Sequence, residues 1–438
     1  MGHRLSSQPG STGPKVLITH AYSVENKGDA ALLGVLVSEI RRVFDPSGIR
    51  ILTLDNVASG TSFEGVQLER SFMSAVRYKS DRQIVRVVYG LWMTFYTLAW
   101  AKMLRRFGRR LPLPKDLRRC AEAYEWADVV IPVGGGYLRG LQDVASIFNL
   151  LLLIHPLYFG GYLGKPTILF TQSVGPFYWE IERRMMRSAL EKNVDLILIR
   201  EEKSMELLQT LGADAKAERS VDAGFLVEAK AEVALDSLVS GRRPELPLVG
   251  ITVRKWLDEA GQHAYETAVA ELADYIVDND LGQVVFIPQV TAQMHADDDR
   301  VASKSVSELM RNKEKATVLM DEFGYREIRA LYGDLDILVG TRFHSVIFAL
   351  ISFVPCMAIE YEHKTSGILR DLGLEEWSRP IETVTGPQLI ELFTRLLAER
   401  SSYATLLKDS IPPYVIQAQG AIERAKHVFD ARNLGAKV

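Results

Sequence analysis

The sequence predicts an α/β protein of two domains, each a parallel sheet flanked by helices. Short apolar runs alternate with amphipathic helical segments, which is typical of βαβ units. This alternation restarts once, after a weakly patterned stretch at 229–247 that we interpret as a linker. A chain of 438 residues also fits two domains of about 200 residues better than one. Two such units predict Rossmann-like domains whose sheets face a common cleft.

The first domain is predicted at 14–228, after a disordered tail at 1–13 that is rich in Ser, Gly and Pro. Asp29 is a good N-cap for the first helix, which has apolar residues at helical spacing. A later apolar helix is expected to break near Pro156. The strands of this domain are expected at 15–20, 49–54, 128–133, 167–171 and 195–199.

The second domain is predicted at 248–438 and includes two closing amphipathic helices at about 387–399 and 414–432. Its short apolar runs alternate with helical patterns, as in the first domain. Its strands are expected at 248–253, 284–287, 317–320, 337–339 and 356–360.

Composition narrows the class of protein. The apolar fraction of 47% and the charged fraction of 24% are ordinary for a soluble globular chain. A net charge of -3 argues against a general nucleic-acid binder, and we expect no nucleic-acid partner. Cys120 and Cys356 lack CxxC or metal-ligand spacing, which favours a reduced, cytoplasmic setting.

An apolar and aromatic run at 87–101 lies between clusters of Arg and Lys within 82–110. It is shorter than the ~20 apolar residues that a spanning helix needs. Aromatic residues with cationic flanks favour a helix in a membrane interface, here at the inner face of the cytoplasmic membrane. A buried helix with a solvated basic end is the alternative.

The strongest candidate site follows the predicted strand at 337–339, where Thr341, Arg342, His344 and Ser345 lie within five residues. Ligands of open α/β sheets bind at the carboxyl ends of strands. Arg342 offers a fork of donors for an anion, and His344 offers a proton that exchanges near neutral pH. If this stretch is extended, both side chains face the same side. The alternative is that they only satisfy backbone groups.

Other strand ends supply further candidates. Arg254 follows the first strand of the second domain and gives a second guanidinium. Glu362 and Lys364 follow the strand at 356–360 and are candidates for substrate contact. Asn26 and Asp29 flank Lys27 and Gly28 in the first loop and suit hydroxyl binding or helix capping. Asn26, Asp29, Arg254, Glu362 and Lys364 are therefore additional candidates for substrate contact.

Two glycine-containing turns complete the predicted cleft lining. Gly134, Gly135 and Gly136 permit positive φ and a close approach by a ligand, but they match neither a dinucleotide fingerprint nor a P-loop. Gln172 and Ser173 precede a Gly-Pro turn, without the GxSxG elbow of a hydrolase. His295 with the acidic run at 297–299 has metal-like spacing, yet acidic residues also suit a helix start, so we predict no metal.

In order and spacing these motifs resemble the polysaccharide pyruvyl transferase family, most closely its members in exopolysaccharide (colanic-acid-like) assembly. The resemblance covers about 16–374. It rests on the motifs Asn26-Lys27-Gly28-Asp29-Ala30, Gly134-Gly135-Gly136, Ser173-Val174-Gly175-Pro176-Phe177, Leu198-Ile199-Arg200-Glu201, Val221-Asp222, Val339-Gly340-Thr341-Arg342-Phe343-His344-Ser345 and Tyr361-Glu362-His363-Lys364.

This resemblance implies a glycosyltransferase-B-like architecture and phosphoenolpyruvate as co-substrate, with no further cofactor. It implies that pyruvate is transferred to two sugar hydroxyls as a cyclic ketal. Arg254, Arg342 and His344 match the family's donor-site Arg, Arg and His. His344 is then the candidate acid–base group. Asp29 and Glu362 are candidates for a general base, and Thr341 and Ser345 for donor contacts.

Several alternatives stay open at this stage. A nucleotide-sugar-dependent glycosyltransferase of the same architecture fits the fold, because fold alone does not fix function. A non-catalytic glycolipid-binding subunit also fits. The acceptor is a saccharide that is lipid-linked, nucleotide-linked or polymeric, and the sequence is compatible with a homo-oligomer.

Overall fold

The computed structural model describes residues 13–22, 25–54, 63–143, 145–230, 234–292 and 297–435. The chain divides into two compact units. The first contains Met1–Val24, Leu32–Ala223 and Gln417–Val438, and the second contains Glu25–Ala31 and Gly224–Ile416. Apart from Gly13, the predicted disordered tail lies outside the described residues.

Helices and strands alternate along most of the chain. The helices are α1 (Lys27–Phe44), α2 (Phe72–Arg77), α3 (Gln83–Phe107), α4 (Lys115–Trp126), α5 (Ala145–Leu163), α6 (Glu180–Asn193), α7 (Glu202–Leu211), α8 (Glu259–Asp278), α9 (Asp299–Leu309), α10 (Tyr325–Gly333), α11 (Phe343–Leu350), α12 (His363–Asp371) and α13 (Gly386–Gly435). The strands are β1 (Lys15–Ala21), β2 (Gly48–Thr53), β3 (Val66–Arg70), β4 (Val129–Pro132), β5 (Gly135–Leu138), β6 (Ile168–Val174), β7 (Leu196–Ile199), β8 (Ala217–Arg219), β9 (Leu248–Thr252), β10 (Gln283–Phe286), β11 (Thr291–Ala292), β12 (Asp297–Asp298), β13 (Ala316–Val318), β14 (Ile337–Gly340), β15 (Cys356–Glu360) and β16 (Ser378–Pro380).

The first unit contains two parallel four-stranded sheets, in the orders β3-β2-β1-β4 and β5-β6-β7-β8. A parallel bridge between Val130 and Thr167 joins them. β4, β6 and β7 are buried along their whole length, as expected for parallel strands covered on both faces. Continuous apolar runs of this kind are why the sequence located these strands.

The second unit is built on one parallel six-stranded sheet in the order β13-β10-β9-β14-β15-β16. Gly340 at the end of β14 pairs with Thr252 of β9 on one side and with Ala358 of β15 on the other. The carboxyl ends of these three strands are therefore neighbours. A short antiparallel pair, β11 and β12, accompanies the sheet.

The apolar and basic segment of the first unit forms α3, a single helix of 25 residues. One face of α3 enters the core with Trp100 and Ala101, where Phe159 of α5 also packs. The buried hydroxyl of Thr97 and Nε2 of His155 are 2.8 Å apart. By length and composition both α3 and α5 could cross a membrane, but core helices also meet this criterion.

Two predicted helix breaks are wrong. α5 continues through Pro156, where burial of Ile154, Leu157 and Phe159 offsets the lost hydrogen bond. Each such side chain contributes about 1.5–3 kcal/mol, against about 3 kcal/mol for an internal proline. α13 is likewise one helix where two were predicted, although it contains Pro412 and Pro413.

The observed units also differ from the predicted domains. Gln417–Val438 belongs to the first unit, where Arg424 pairs with Glu218 at 2.5 Å and Phe429 packs on Phe44 at 5.9 Å between ring centroids. The predicted linker belongs to the second unit, and its Leu235 is fully buried. Both assignments depend on distant partners, which local sequence patterns do not report.

Candidate functional site

Three neighbouring strands of the second unit end in polar residues. Arg254 follows β9, Arg342 follows β14 and Tyr361 follows β15. These strands are parallel and adjacent, so their carboxyl ends share one edge of the sheet. This is the edge at which ligands of open α/β sheets bind.

The loop after β14 is fixed by buried hydroxyl groups. Oγ1 of Thr252 accepts hydrogen bonds from the backbone N–H groups of Thr341 at 2.9 Å and Arg342 at 3.3 Å. The Thr341 hydroxyl is 2.8 Å from the Tyr265 hydroxyl, and Ser345 Oγ donates to the Arg342 carbonyl at 2.5 Å. Thr341 and Ser345, predicted as donor-binding residues, therefore act on the backbone that positions Arg342.

Arg342 is held by two carboxylates. Its Nη2 lies 2.5 Å from Asp299 and 2.5 Å from Asp297, and its Nε donates to Asp299 at 3.1 Å. Burial lowers the pKa of this guanidinium, but Asp299 and Asp297 outweigh burial and raise it, so Arg342 stays charged. Asp299 also accepts the N–H groups of Gln289 at 3.0 Å and Val290 at 2.9 Å.

Arg254 has more donor capacity left than Arg342. Its guanidinium stacks on Tyr361 at 4.1 Å and on Trp256 at 4.5 Å from the ring centroids. Among the described residues its nearest carboxylate is Asp297, at 4.0 Å. Its buried Nε has no hydrogen-bond acceptor among the described residues. An unsatisfied buried N–H is costly, which makes this group a ready donor to an anion.

Tyr361 lies among the cations of this edge. Burial opposes ionisation of its phenol, but Lys364, Arg254 and Arg342 outweigh burial and lower the pKa to about 8. Lys364 also pairs with Glu362 at 2.7 Å. The sequence motif contained Tyr361 but gave it no role, because two of its cationic neighbours come from distant strands. Its place directly after a predicted strand was the available signal.

His344 is the second residue of α11, and Arg342 is at the N-cap position of that helix. The expectation of an extended stretch is therefore wrong, since residues two apart on a helix do not face the same side. The imidazole packs edge-on against Phe343, with centroids 5.0 Å apart. It also contacts Gly28, where a Cβ atom would lie 2.1 Å from Nδ1, so the close approach requires glycine.

The segment around Gly28 belongs to this site because Glu25–Ala31 is part of the second unit. The Lys27 N–H donates to the Gln289 carbonyl at 3.1 Å, and Asn26 forms a bridge with Val290. Nδ2 of Asn26 donates to Asp29 at 3.0 Å. The sequence had placed Asn26 and Asp29 in the first domain. The structure places them near His344, because their segment pairs with the backbone of Gln289 and Val290, which Asp299 holds.

In the first unit the three glycines do not form the predicted turn. Gly135 and Gly136 begin β5, and none of the three has positive φ. A Cβ atom at Gly134 would lie 2.5 Å from the Thr171 hydroxyl. Glycine at this position therefore permits close packing against β6, within the protein itself.

Gln172 and Ser173 are buried, at 0% and 2% exposure. Gln172 donates to the Val133 carbonyl at 2.7 Å and to the Tyr137 hydroxyl at 2.8 Å. Ser173 accepts from Arg200 at 2.7 Å and donates to a Glu201 carboxylate at 2.9 Å. They support the end of β6 from inside, whereas the sequence had predicted that they line a cleft.

His20, which no sequence motif singled out, lies beside this network. Its ring stacks on Tyr137 at 4.8 Å, and its Nε2 is 2.8 Å from the Leu153 carbonyl. Burial lowers the pKa of His20 to about 4, so the imidazole is neutral at physiological pH. His20 and Thr171 both have positive φ, 61° and 44°, and strained residues of this kind concentrate at functional sites. The position of His20 at a predicted strand end was the signal available.

Within the described residues, no cluster of three or more His, Cys, Asp or Glu side chains could hold a metal ion. Asp297 and Asp299 are paired with Arg342, and Asp298 is paired with Arg300 at 2.7 Å. His295 lies outside the described residues.

The chain matches known proteins along most of its length. The family model for polysaccharide pyruvyl transferase matches residues 26–363. The amylovoran biosynthesis protein AmsJ of Erwinia amylovora is 23% identical over 86% of this chain and 90% of its own. Among solved structures, a putative UDP-N-acetylglucosamine 2-epimerase of Listeria monocytogenes covers 97% of this chain and 98% of its own, with a TM-score of 0.58 and 12% identity.

HepE of Anabaena, solved with UDP and glucose, covers 95% of this chain and 100% of its own, with a TM-score of 0.55 and 11% identity. At such identities these two likenesses support the fold alone, and they confirm the predicted glycosyltransferase-B-like α/β class. The family match spans both units and includes Asn26, Arg254, Arg342 and His344. The chain therefore belongs to the polysaccharide pyruvyl transferase family.

Proposed function

We propose that this protein transfers pyruvate from phosphoenolpyruvate to two hydroxyls of a sugar as a cyclic ketal. The observation that carries the proposal is the cationic edge of the second unit, where Arg254, Tyr361 and Lys364 meet beside Arg342. Family membership supports the reaction class. The similarity to a protein of amylovoran biosynthesis supports a role in making a cell-surface or extracellular polysaccharide.

The donor carries a phosphate and a carboxylate, so it needs fixed cationic donors. Arg254 offers its unsatisfied Nε, and Lys364 adds a second cation next to Tyr361. Asp297 is the carboxylate that a donor would displace, because its side chain is 34% exposed whereas that of Asp299 is 1% exposed. In this assignment Arg342 keeps Asp299 and gives up Asp297 to the donor anion.

The bonds and protons of the reaction balance without any further reagent. One sugar hydroxyl forms a C–O bond to the central carbon of the donor, and the methylene carbon takes a proton and becomes a methyl group. Cleavage of the C–O bond to phosphate and attack by the second hydroxyl then close the ketal. The second hydroxyl proton leaves with the phosphate. His344 is the group proposed to move these protons, with Asp29 or Glu362 as a carboxylate base.

We assign the sugar acceptor to the side of the site that Asn26 and Asp29 form. Their amide and carboxylate form a polar pair at 3.0 Å, next to the imidazole that contacts Gly28. Hydroxyl groups of a sugar both donate and accept hydrogen bonds, which such a pair can satisfy. An acceptor held there would present its hydroxyls to His344.

The purified protein should release phosphate from phosphoenolpyruvate only when an acceptor is present. A panel of free, lipid-linked and nucleotide-linked sugars serves as acceptors, and NMR of the product should show one new methyl group on a ketal carbon. Since arginine and lysine supply the positive charge, release should persist in EDTA. Transfer from a nucleotide sugar with phosphoenolpyruvate untouched would instead identify a glycosyltransferase. Glycolipid binding with both donors untouched would identify a binding subunit.

Tyr361 should give donor binding a characteristic pH dependence. Above pH 8 its phenol, whose pKa is about 8, becomes negative beside Arg254 and Lys364 and opposes the anionic donor. Calorimetry should show donor affinity falling by up to about tenfold per pH unit above that pKa. Tyr361→Phe should remove the decline, whereas Tyr325→Phe, a change elsewhere in the same unit, should retain it. Identical profiles for Tyr361→Phe and the unmodified protein would contradict this role.

A further inference from the structure

One face of α3 is apolar and exposed for about three turns. Ile84 is 79% exposed, Val88 is 62% exposed and Phe95 is 68% exposed, with Leu91 and Trp92 exposed between them. Residues spaced three or four apart lie on one face of a helix. We call these five residues the α3 stripe. Single exposed apolar residues are ordinary, but a continuous stripe of this kind marks an interaction surface.

The opposite face of α3 fixes how this helix can meet a partner. Met93, Trp100 and Ala101 are buried in the core of the first unit, and Thr97 is hydrogen-bonded to His155 of α5. The helix cannot enter a bilayer on all sides without leaving that core. α5, the second long apolar helix, is more fully buried and supports α3 from behind. Any membrane contact of α3 is therefore lateral.

The charge around the α3 stripe selects the partner. Lys102 and Arg106 continue the same helix face about two and three turns beyond Phe95, and both are exposed. α3 contains Arg86 and Arg105 besides, and it contains no Asp or Glu. Such a helix, apolar for most of its exposed face and basic at one end, matches a surface with an apolar interior and anionic headgroups.

Aromatic rings border the α3 stripe. Trp92 stacks on Tyr96 at 5.1 Å and lies 5.4 Å from Tyr89, and the Lys79 ammonium lies 4.6 Å from the Tyr89 ring centroid. Tyrosine and tryptophan rings with a wet edge and an apolar body favour the headgroup level of a bilayer. A second copy of the chain fits less well, because a twofold contact between two such helices would bring only cations together.

We propose that the α3 stripe docks this protein laterally on an anionic lipid surface, with α3 lying in the headgroup region. The apolar side chains enter the acyl boundary, and Lys102 and Arg106 contact anionic headgroups. The proposal is independent of the reaction proposed above. It concerns where the protein works, and an enzyme docked in this way meets lipid-borne substrates at the membrane surface.

Vesicle co-sedimentation tests the proposal directly. The unmodified protein should bind vesicles containing phosphatidylglycerol at low salt, and bind less at high salt or to pure phosphatidylcholine, because exposed charges are screened. Val88→Gln with Phe95→Gln should lower the partition coefficient by about tenfold or more. Ile416→Gln with Leu434→Gln, at apolar residues that are 69% and 68% exposed elsewhere, should leave binding unchanged.

Two further measurements test the role of the basic residues and the depth at which α3 lies in the bilayer. Lys102→Gln with Arg106→Gln should weaken binding to anionic vesicles by roughly 25-fold, about fivefold per residue, and leave phosphatidylcholine binding unchanged. Brominated lipids should quench tryptophan fluorescence, and Trp92→Phe should remove most of that quenching. The changed side chains are exposed, and their main described contacts are the stacking of Trp92 on Tyr96 and the Lys102 ammonium 4.3 Å from the Tyr162 ring centroid. Melting temperatures should therefore stay within a few degrees of that of the unmodified protein.

Three results would overturn the proposal. The first is no binding of the unmodified protein to anionic vesicles at low salt. The second is equal binding by the Val88→Gln and Phe95→Gln variant. The third is a dimer in sedimentation velocity that this same variant abolishes, because the α3 stripe would then be covered by a second copy.

Discussion

Replacing His344 with glutamine should lower turnover by about 10²–10⁴-fold at saturating donor and acceptor, because an acid–base group is lost. Glutamine keeps a hydrogen-bonding side chain of similar length against Gly28 but cannot shuttle a proton. Donor affinity should change little, since in this assignment the anion is held by Arg254, Arg342 and Lys364. Steady-state phosphate release and calorimetry with phosphoenolpyruvate measure the two quantities separately.

His263→Gln is the matched control for His344, because His263 is an exposed histidine on α8 of the same unit. It should retain full turnover. Thermal melting of His344→Gln and of His344→Ala checks that loss of packing against Phe343 does not unfold the protein. Near-normal turnover of His344→Gln would reduce His344 to a positioning role and move the acid–base role to Asp29 or Glu362.

Replacing Arg342 with alanine should destabilise the protein by about 3–5 kcal/mol, since it leaves the buried carboxylate of Asp299 without its cation. Arg342→Lys should also be destabilising, because an ammonium cannot replace bonds from Nε and Nη2 to two carboxylates. Urea unfolding measures the loss of stability. Donor affinity of the folded fraction should fall as well, since the loop after β14 and the anion site share Arg342.

Arg254→Ala should mainly weaken donor binding, whereas Arg342→Ala should mainly lower stability. Donor affinity should fall roughly 10- to 150-fold, the worth of a charge-assisted hydrogen bond, while stability changes little. Arg395→Ala is its control, since Arg395 stacks on Trp377 at 4.1 Å as Arg254 stacks on Tyr361 at 4.1 Å. Unchanged phosphoenolpyruvate affinity in both Arg254→Ala and Arg342→Ala would refute the donor site.

The sequence located the sheet edge of this site because that information is local. β9, β14 and β15 are apolar runs, and Arg254, Arg342 and Tyr361 each follow within two residues of a strand end. In parallel sheets such ends converge, so strands alone predict a shared edge. The side-chain contacts that hold these residues together were not local in the sequence. Asp299 was interpreted as a helix-opening residue, yet its carboxylate reaches Arg342, 43 residues away.

Orientation was predicted less well than position. The step from Arg342 to His344 changes from strand end to helix within three residues, and that change reverses which side chains face together. That Asn26 and Asp29 belong to the second unit was also not predicted. Their place there depends on backbone pairing of Asn26 and Lys27 with Gln289 and Val290. Backbone hydrogen bonds between segments so far apart have no signature in side-chain pattern.

The return of Gln417–Val438 to the first unit has a consequence for synthesis on the ribosome. Arg424 and its partner Glu218 are separated by 206 residues. At about 5–20 residues per second, the first unit waits roughly 10–40 s for that segment. During this interval the groups that Phe429 and Ile422 later cover remain open to other chains. The second unit has by then been synthesised, so the half of the protein that is made first is completed last.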